Sequence, residues 1–130
     1  MMSREVIKTT GAPPALAAYS QGIVASGKFV FAAGQLGLDP ESKQLVEGGV
    51  EAQTERAILN LKAVLEAAGS SLENIVKVTV FLHNISDFAA MNSVYIRYFP
   101  ANPPARSAFG GNDLPLGGLV EIECIAVVPE

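Results

Sequence analysis

The sequence predicts an α+β or mixed α/β fold, with one sheet and two helices on the same face of it. Three observations carry this. Apolar segments of strand length recur at 22–26, 29–34, 75–82, 105–109 and 119–128. Two segments with the apolar spacing of helices fall between them. Both helices join strands, and helices that do so pack back onto the sheet they connect. The element order reads β-β-β-α-β-α-β-β, which leaves the second face of the sheet uncovered. All 130 residues, 1–130, are assigned to a single domain.

The elements follow in order. Thr9 to Pro14 is irregular. Gly22–Ser26 and Phe29–Gly34 are joined at Gly27-Lys28, a hairpin signal. Asp39 to Gly49 reads as a loop opened by an Asp39-Pro40 turn. Ala57, Ile58, Leu61, Val64, Leu65 and Ala68 form one helical stripe, and Gly69 is placed to end it. Val76, Val78, Val80 and Leu82 alternate with Lys77, Thr79, Phe81 and His83, as in a half-buried strand. Ser86-Asp87 is a suitable N-cap pair for a second helix, whose apolar face is Phe88, Met91, Tyr95, Tyr98 and Phe99, with Pro100 ending it. A short strand, Ala105–Phe109, precedes the turn Gly110–Asp113. In the last strand Val120, Ile122, Cys124, Ala126 and Val128 face the helices. Leu119, Glu121, Glu123, Ile125 and Val127 face away, an apolar set with two carboxylates embedded in it. A solvated sheet face is polar at most positions, so this pattern points to a subunit interface.

Composition points the same way. Charged residues are 17% of the chain against about 25% in a typical soluble domain. A small domain has much surface for its volume, so some apolar surface meets solvent or another chain. The formal net charge is −4 and the basic residues are scattered, which offers nucleic acid no basic stripe. No apolar run reaches the ~18 residues of a membrane span. Met1 to Thr10 lack the apolar core of a secretory signal, so none is expected. Cys124 alone permits no internal disulfide, which fits a reducing compartment. One His and one Cys do not make a usual zinc site. Gly48-Gly49 and Gly117-Gly118 lack the context of a phosphate-binding loop.

Arg106 follows two prolines in a short apolar strand, where a guanidinium is held stiffly and can grip a carboxylate through two parallel hydrogen bonds. From the pattern alone, an ion pair with a nearby Glu is the better reading of it. Glu121 and Glu123 share a strand face beside aliphatics. One suits general acid–base work; the other suits a bridge to Arg106 or Lys77. Tyr19, in Ala18-Tyr19-Ser20-Gln21-Gly22, either positions a ligand or packs with its hydroxyl satisfied. Gly34 at a strand end permits close approach by a ligand, or simply turns the chain. His83 reads as structural or exposed, and Cys124 as buried and inert.

Pro104-Ala105-Arg106-Ser107, then Leu114-Pro115, then Val120 to Val127 resemble the C-terminal signature of the Rid (YjgF-type) family. The best-known branch of that family is RidA, the reactive-intermediate imine deaminase. Tyr19-Ser20-Gln21, Gly34-Gln35, Ala67-Ala68-Gly69, Val76 to Phe81 and Asp87-Phe88 with Asn92 and Tyr95 fall in the family's order over nearly the whole chain. The resemblance implies a chorismate-mutase-like fold. It implies a homotrimer whose sheets face the trimer core, with sites in the clefts between subunits. It implies hydrolysis of 2-aminoacrylate and 2-iminobutyrate to 2-oxo acids and ammonia, with neither cofactor nor metal, in the cytoplasm or else a mitochondrion or plastid. On the same ground Arg106 binds the substrate carboxylate and Glu121 positions or activates water. Tyr19 lines the cleft from the neighbouring subunit, and Asn92 and the Gly34 backbone bind substrate. Ala33 and Ala108 stand at binding positions where many members have Ser and Cys; Ala17-Ala18 replaces Gly-Pro, and Gly110 to Asp113 is richer in glycine than usual. Two other readings stay open: a non-catalytic trimer that binds small molecules or acts as a chaperone, and the translation-inhibiting endoribonuclease activity described for some relatives.

Overall fold

The computed structural model describes residues 3–130. Its strands are β1 (Ser3–Ile7), β2 (Gly22–Ser26), β3 (Lys28–Leu36), β4 (Ile75–Leu82), β5 (Ala105–Phe109) and β6 (Val120–Val128), and its helices are α1 (Gly49–Ala67) and α2 (Phe88–Tyr98). The chain order is that read from the sequence, but the single sheet is not. Four strands pair in the order β3-β6-β4-β5, and β1 pairs with β2 in a separate ladder. Within the four, β4 and β5 run parallel and the other pairs are antiparallel.

The hairpin expected at Gly27-Lys28 does not form. β2 takes β1 as its partner, Ser3 opposite Ser26 through Ile7 opposite Gly22, while β3 takes β6. Gly27, at φ 121, lets the chain leave one ladder and enter the other, a conformation open to glycine at little steric cost. Arg4 ties the small ladder to the large sheet, donating from Nε to Ile75 O at 2.9 Å and from Nη2 to Asn102 O at 2.9 Å.

Both helices cover one face, and the core lies beneath them. Ile58, Leu61 and Leu65 of α1 and Met91 and Tyr95 of α2 meet Val78, Val80, Leu82, Val120, Ile122, Cys124 and Ala126 of the sheet. Helix α1 begins earlier than its apolar stripe indicates, and Gln53 and Thr54 are buried in its first turns. Its end is as expected: Gly69 N–H donates to Glu66 O at 3.0 Å and Ser70 N–H to Leu65 O at 2.8 Å, with Gly69 at φ 81. These paired bonds satisfy carbonyls that the last helical turn leaves free. Asp87 is the N-cap residue of α2, as expected, but its side chain makes no capping bond; the side-chain cap lies one turn earlier. Asn84 supplies it, its Oδ1 accepting from Ser86 N–H at 2.9 Å, and one 3₁₀ turn separates it from α2.

A register shift in β4 between Ile75 and Lys77 puts Ile75, not Val76, into the core. Strict alternation also fails at the end of β6, where Val127 is buried and Val128 is only half-buried. The face away from the helices holds Phe29, Phe31, Phe81, Phe109 and Ile125 among Lys77, Glu121 and Glu123. Phe31 is 67% exposed and Phe109 52%. Exposed aromatic area of this kind marks an interaction surface, as the patterning of β6 indicated. Among the described residues no helix is long and apolar enough to cross a membrane.

One close approach seats α1 on the sheet. A Cβ on Gly37 would lie 2.5 Å from Gln53 Cα, and Gln53 Oε1 accepts from Leu119 N–H at 2.9 Å just before β6. Gly37→Ala is expected to lower the unfolding free energy by about 1–3 kcal/mol through overpacking. Gly22→Ala, whose Cβ would meet only Ile7 Cβ at 3.7 Å, is the matched control and should change little. Denaturant unfolding at one fixed protein concentration measures both.

Candidate active site

β5 ends the sheet on one side, and the chain around Tyr19 runs against it. Ser20 forms a parallel bridge with Ala105. Ser20 N–H donates to Pro104 O at 3.1 Å, and its hydroxyl donates to Pro103 O. These bonds set Tyr19 beside the next residue of β5, Arg106. The two prolines thus act twice: they stiffen the entry to β5 and offer carbonyls to the Tyr19 segment.

Arg106 is paired in register with Val78, and so faces the helices. Its Nη1 donates to Asn92 Oδ1 on α2 at 2.7 Å. Three rings surround its Cζ: Tyr95 at 4.6 Å, Phe88 at 5.4 Å and Tyr19 at 5.8 Å from their centroids. A guanidinium over an aromatic face gains about 0.5–2 kcal/mol, more as water is excluded. The ion pair with Glu that pattern alone favours is absent: among the described residues Arg106 has no carboxylate in salt-bridge range. Burial draws its pKa down, and the nearby Tyr95 and Tyr19 oppose that; an arginine stays charged regardless. Burial also pushes the Tyr95 hydroxyl well above the ordinary phenol range, and that hydroxyl is buried with no well-formed hydrogen bond. The guanidinium opens on a cavity of about 420 Å³ lined by Tyr19, Ile85, Phe88, Arg106 and Ala108. The cation is thus held at the wall of a largely apolar cavity, and no carboxylate among the described residues neutralises it.

Glu121 is elsewhere. It stands opposite Phe81 of β4, and Phe81 opposite Phe109 of β5. Arg106 lies two strands away, about 10 Å across the sheet, and on its other face. Read from the sequence, Arg106 and Glu121 are the few charged groups kept together on the sheet face opposite the helices; the structure corrects this, since only Glu121 lies on that face. Val78 and Phe81 are three positions apart, an odd offset, so they and their cross-strand neighbours point to opposite sides. The Glu121 carboxyl instead lies against Gly34, where β3 bulges between Ala32 and Gln35. A Cβ on Gly34 would be 2.9 Å from Glu121 Cδ and Oε2, so only glycine lets the carboxyl rest there.

The structure thus gathers Arg106, Asn92, Tyr19 and Ala108 at one place, and Glu121 and Gly34 at a second. Ala33 is exposed on the same bulge, next to Gly34. Glu123 is exposed and forms no ion pair among the described residues; Lys77 donates to Ser107 Oγ at 2.8 Å instead. His83 is exposed, its Nδ1 3.0 Å from Asn112 O. Sequence reasoning took Phe88 and Tyr95 for core alone. The signal was Asn92, a polar residue on the stripe that runs from Phe88 through Asn92 to Tyr95 at helical spacing. Ile85 reaches the cavity mouth because Gly110 packs on it, a Cβ there falling 2.5 Å from Ile85 Cβ. That close contact explains one glycine of the Gly110–Asp113 stretch.

The four-stranded mixed sheet with two helices on one face is an α+β fold. The chain belongs to the Rid (YjgF-type) family, whose model, described as Endoribonuclease L-PSP, matches residues 9–128. Among its relatives, a RutC family protein of Pyrococcus abyssi is 49% identical over 96% of this chain and 98% of its own. The 2-iminobutanoate/2-iminopropanoate deaminase of Rattus norvegicus is 46% identical over 95% of this chain and 90% of its own. The crystal structure of RidA from the Antarctic bacterium Psychrobacter sp. PAMC 21119 matches with a TM-score of 0.75 at 45% identity, over 95% of this chain and 99% of that one.

Cys124 lies behind the site, opposite Val78 on the helix face. Burial pushes its thiol up to about 12 from 9.0. The thiol is therefore expected to stay unreactive toward a disulfide reagent in the native protein at pH 8 and to react at once when unfolded. The same shift predicts that its contribution to stability is complete below about pH 9 and is lost as pH rises from 9 to about 12, because the unfolded thiol ionises first. A thiol titration with and without denaturant, and unfolding curves across that range, check both.

Proposed function

We propose that the protein hydrolyses small 2-imino and 2-enamino acids, such as 2-aminoacrylate and 2-iminobutyrate, to 2-oxo acids and ammonia. The observation that carries this reading is Arg106, held by Asn92 and three aromatic rings with no carboxylate of its own to neutralise it. The name of the rat relative supports the same chemistry. The substrate carboxylate takes the free donors of the guanidinium in the paired geometry that a planar fork favours. Tyr19, Phe88, Ile85 and Ala108 enclose the rest of it.

A water then adds to the C=N carbon. The carbon–oxygen bond forms, the π pair moves to nitrogen, and nitrogen takes a proton. The resulting carbinolamine passes its hydroxyl proton to nitrogen and loses ammonia as the C–N bond breaks and C=O forms. An enamine such as 2-aminoacrylate first gains a proton at C3 and gives one up from nitrogen to become the imine. One carboxylate suffices for both proton transfers of the water addition, accepting from water and delivering to nitrogen. Glu121 is the residue proposed for it. In one chain it lies across the sheet from Arg106, so the reading requires a second copy whose Glu121 and Gly34 meet the first copy's Arg106 and Tyr19. The exposed aromatic face is the surface proposed for that contact, and a closed ring of three is the proposed assembly.

Three results are expected. A dehydratase that generates 2-aminoacrylate, coupled to pyruvate detection, should show turnover, and Arg106→Ala should reduce kcat/KM by roughly 10- to 100-fold or more. An Arg106→Ala protein as active as the parent would place the site elsewhere. Arg106→Ala and Glu121→Gln chains, unfolded and refolded together in equal amounts, should regain about a quarter of parental activity, the share of interfaces in a ring that pair two intact halves. No recovery would show that both residues act within one chain. Solution mass should be three times the 13.6 kDa of the chain.

A further inference from the structure

A second cavity of about 340 Å³ lies on the other side of the molecule, between α1 and the loop that follows β3. Arg56, Lys43, Gln35 and Asn60 line it, with Asp39 at its edge. Its chemistry repeats that of the Arg106 pocket. Arg56 Nε donates to Asn60 Oδ1 at 3.1 Å, as Arg106 donates to Asn92. Asn60 is itself fixed, its Nδ2 donating to Leu36 O at 3.2 Å and Leu38 O at 2.9 Å. The guanidinium is thus pinned through Nε, and its two terminal nitrogens are left as an open fork. Among the described residues neither Arg56 nor Lys43 forms an ion pair. Asp39 is occupied by its own loop: Oδ1 accepts from Glu41 N–H at 2.8 Å and Ser42 N–H at 2.9 Å. Two cations share the cavity with one carboxylate. The Ser42 and Glu41 N–H bonds, and to a lesser degree Arg56, draw the Asp39 pKa down. Asp39 therefore offsets one cation and a single positive charge is left in excess, in a protein whose net charge is −4.

We propose that this cavity is a second binding site for a small carboxylate, taken by the fork of Arg56 with Lys43 and the Gln35 amide as further donors. The site shares its floor with the proposed catalytic carboxylate. Gln35 immediately follows Gly34, on which Glu121 rests, and Leu36, whose carbonyl Asn60 holds, is paired in register with Glu121. An occupant that engages Gln35 acts on the bulge that seats Glu121, from the opposite side of the sheet. The cavity is separate from the Arg106 pocket, so this inference stands whether or not the imine chemistry does.

The test is a titration of the uniformly ¹⁵N-labelled full-length protein with sodium propionate, with chloride exchanged to hold ionic strength constant. Saturating shifts are expected at the amides of Gln35, Asp39 and Asn60, with Gly34 moving at the same midpoint. They should persist in Arg106→Ala and weaken by about tenfold or more in Arg56→Gln. Lys43→Gln, a change at an exposed position that leaves the Asn60 tie intact, should weaken them less and guards against a folding defect in Arg56→Gln. An Arg56→Gln protein that titrates like the parent would overturn the proposal. So would shifts that vanish in Arg106→Ala, or that rise linearly without saturating. A Gly34 amide that does not move would overturn the link to Glu121.

Discussion

A guanidinium half-withdrawn from water, with no carboxylate to balance it, is the feature around which this molecule is arranged. Removing such a charge from solvent is costly unless other groups replace the water. Here the replacements come from two parts of the chain, and the charge itself from a third, β5. Asn92 and two rings come from α2, and the third ring comes from the segment that runs beside β5. None of these can move without exposing or stranding the charge. The Pro103–Pro104 carbonyls that hold Ser20, and the parallel pairing of β5 with β4, are the means by which the three parts meet. The remaining imbalance is what the proposed substrate carboxylate would offset.

The sheet keeps Arg106 apart from Glu121, the carboxylate proposed for proton transfer. Arg106 faces the helices and Glu121 faces away, because pleating sends residues an odd number apart to opposite sides. A β-bulge and a glycine then give the Glu121 carboxyl a seat that any larger residue at position 34 would fill. One chain therefore holds Arg106 and Glu121 apart. In the proposed assembly a second copy would bring them together as it covers the aromatic face beside Glu121, and a surface buried in that way would account for the shortage of charge in the composition.

Much of the fold was legible in the residues. Ala57, Ile58, Leu61 and Leu65 of the α1 stripe, its end at Gly69, the bounds of β5 and the two faces of β6 as far as Ala126 follow from periodicity and from glycine and proline placement, because each depends on neighbours within a few positions. Val64 and Ala68 of the stripe are exposed instead, and Val127 and Val128 break the alternation. The failures are of one kind. Gly27-Lys28 reads as a hairpin because local turn chemistry says nothing of which strand a ladder prefers. Val76 reads as core because a bulge shifts parity without leaving a mark in the sequence. Phe88 and Tyr95 read as core because an aromatic residue under a cation has the same spacing as one under a leucine.

By itself the sequence determined the element order, the helix-covered face, the buried and inert Cys124, and the identity of Arg106 and Glu121 as the residues worth watching. Those rest on side-chain type and short-range period, which a linear chain carries openly. Only the tertiary structure decided that Arg106 has no ionic partner, that three rings and Asn92 surround it, and that Glu121 lies on the other side of the sheet. Those depend on which distant strands pair and in what register, and that is settled by packing across the whole molecule.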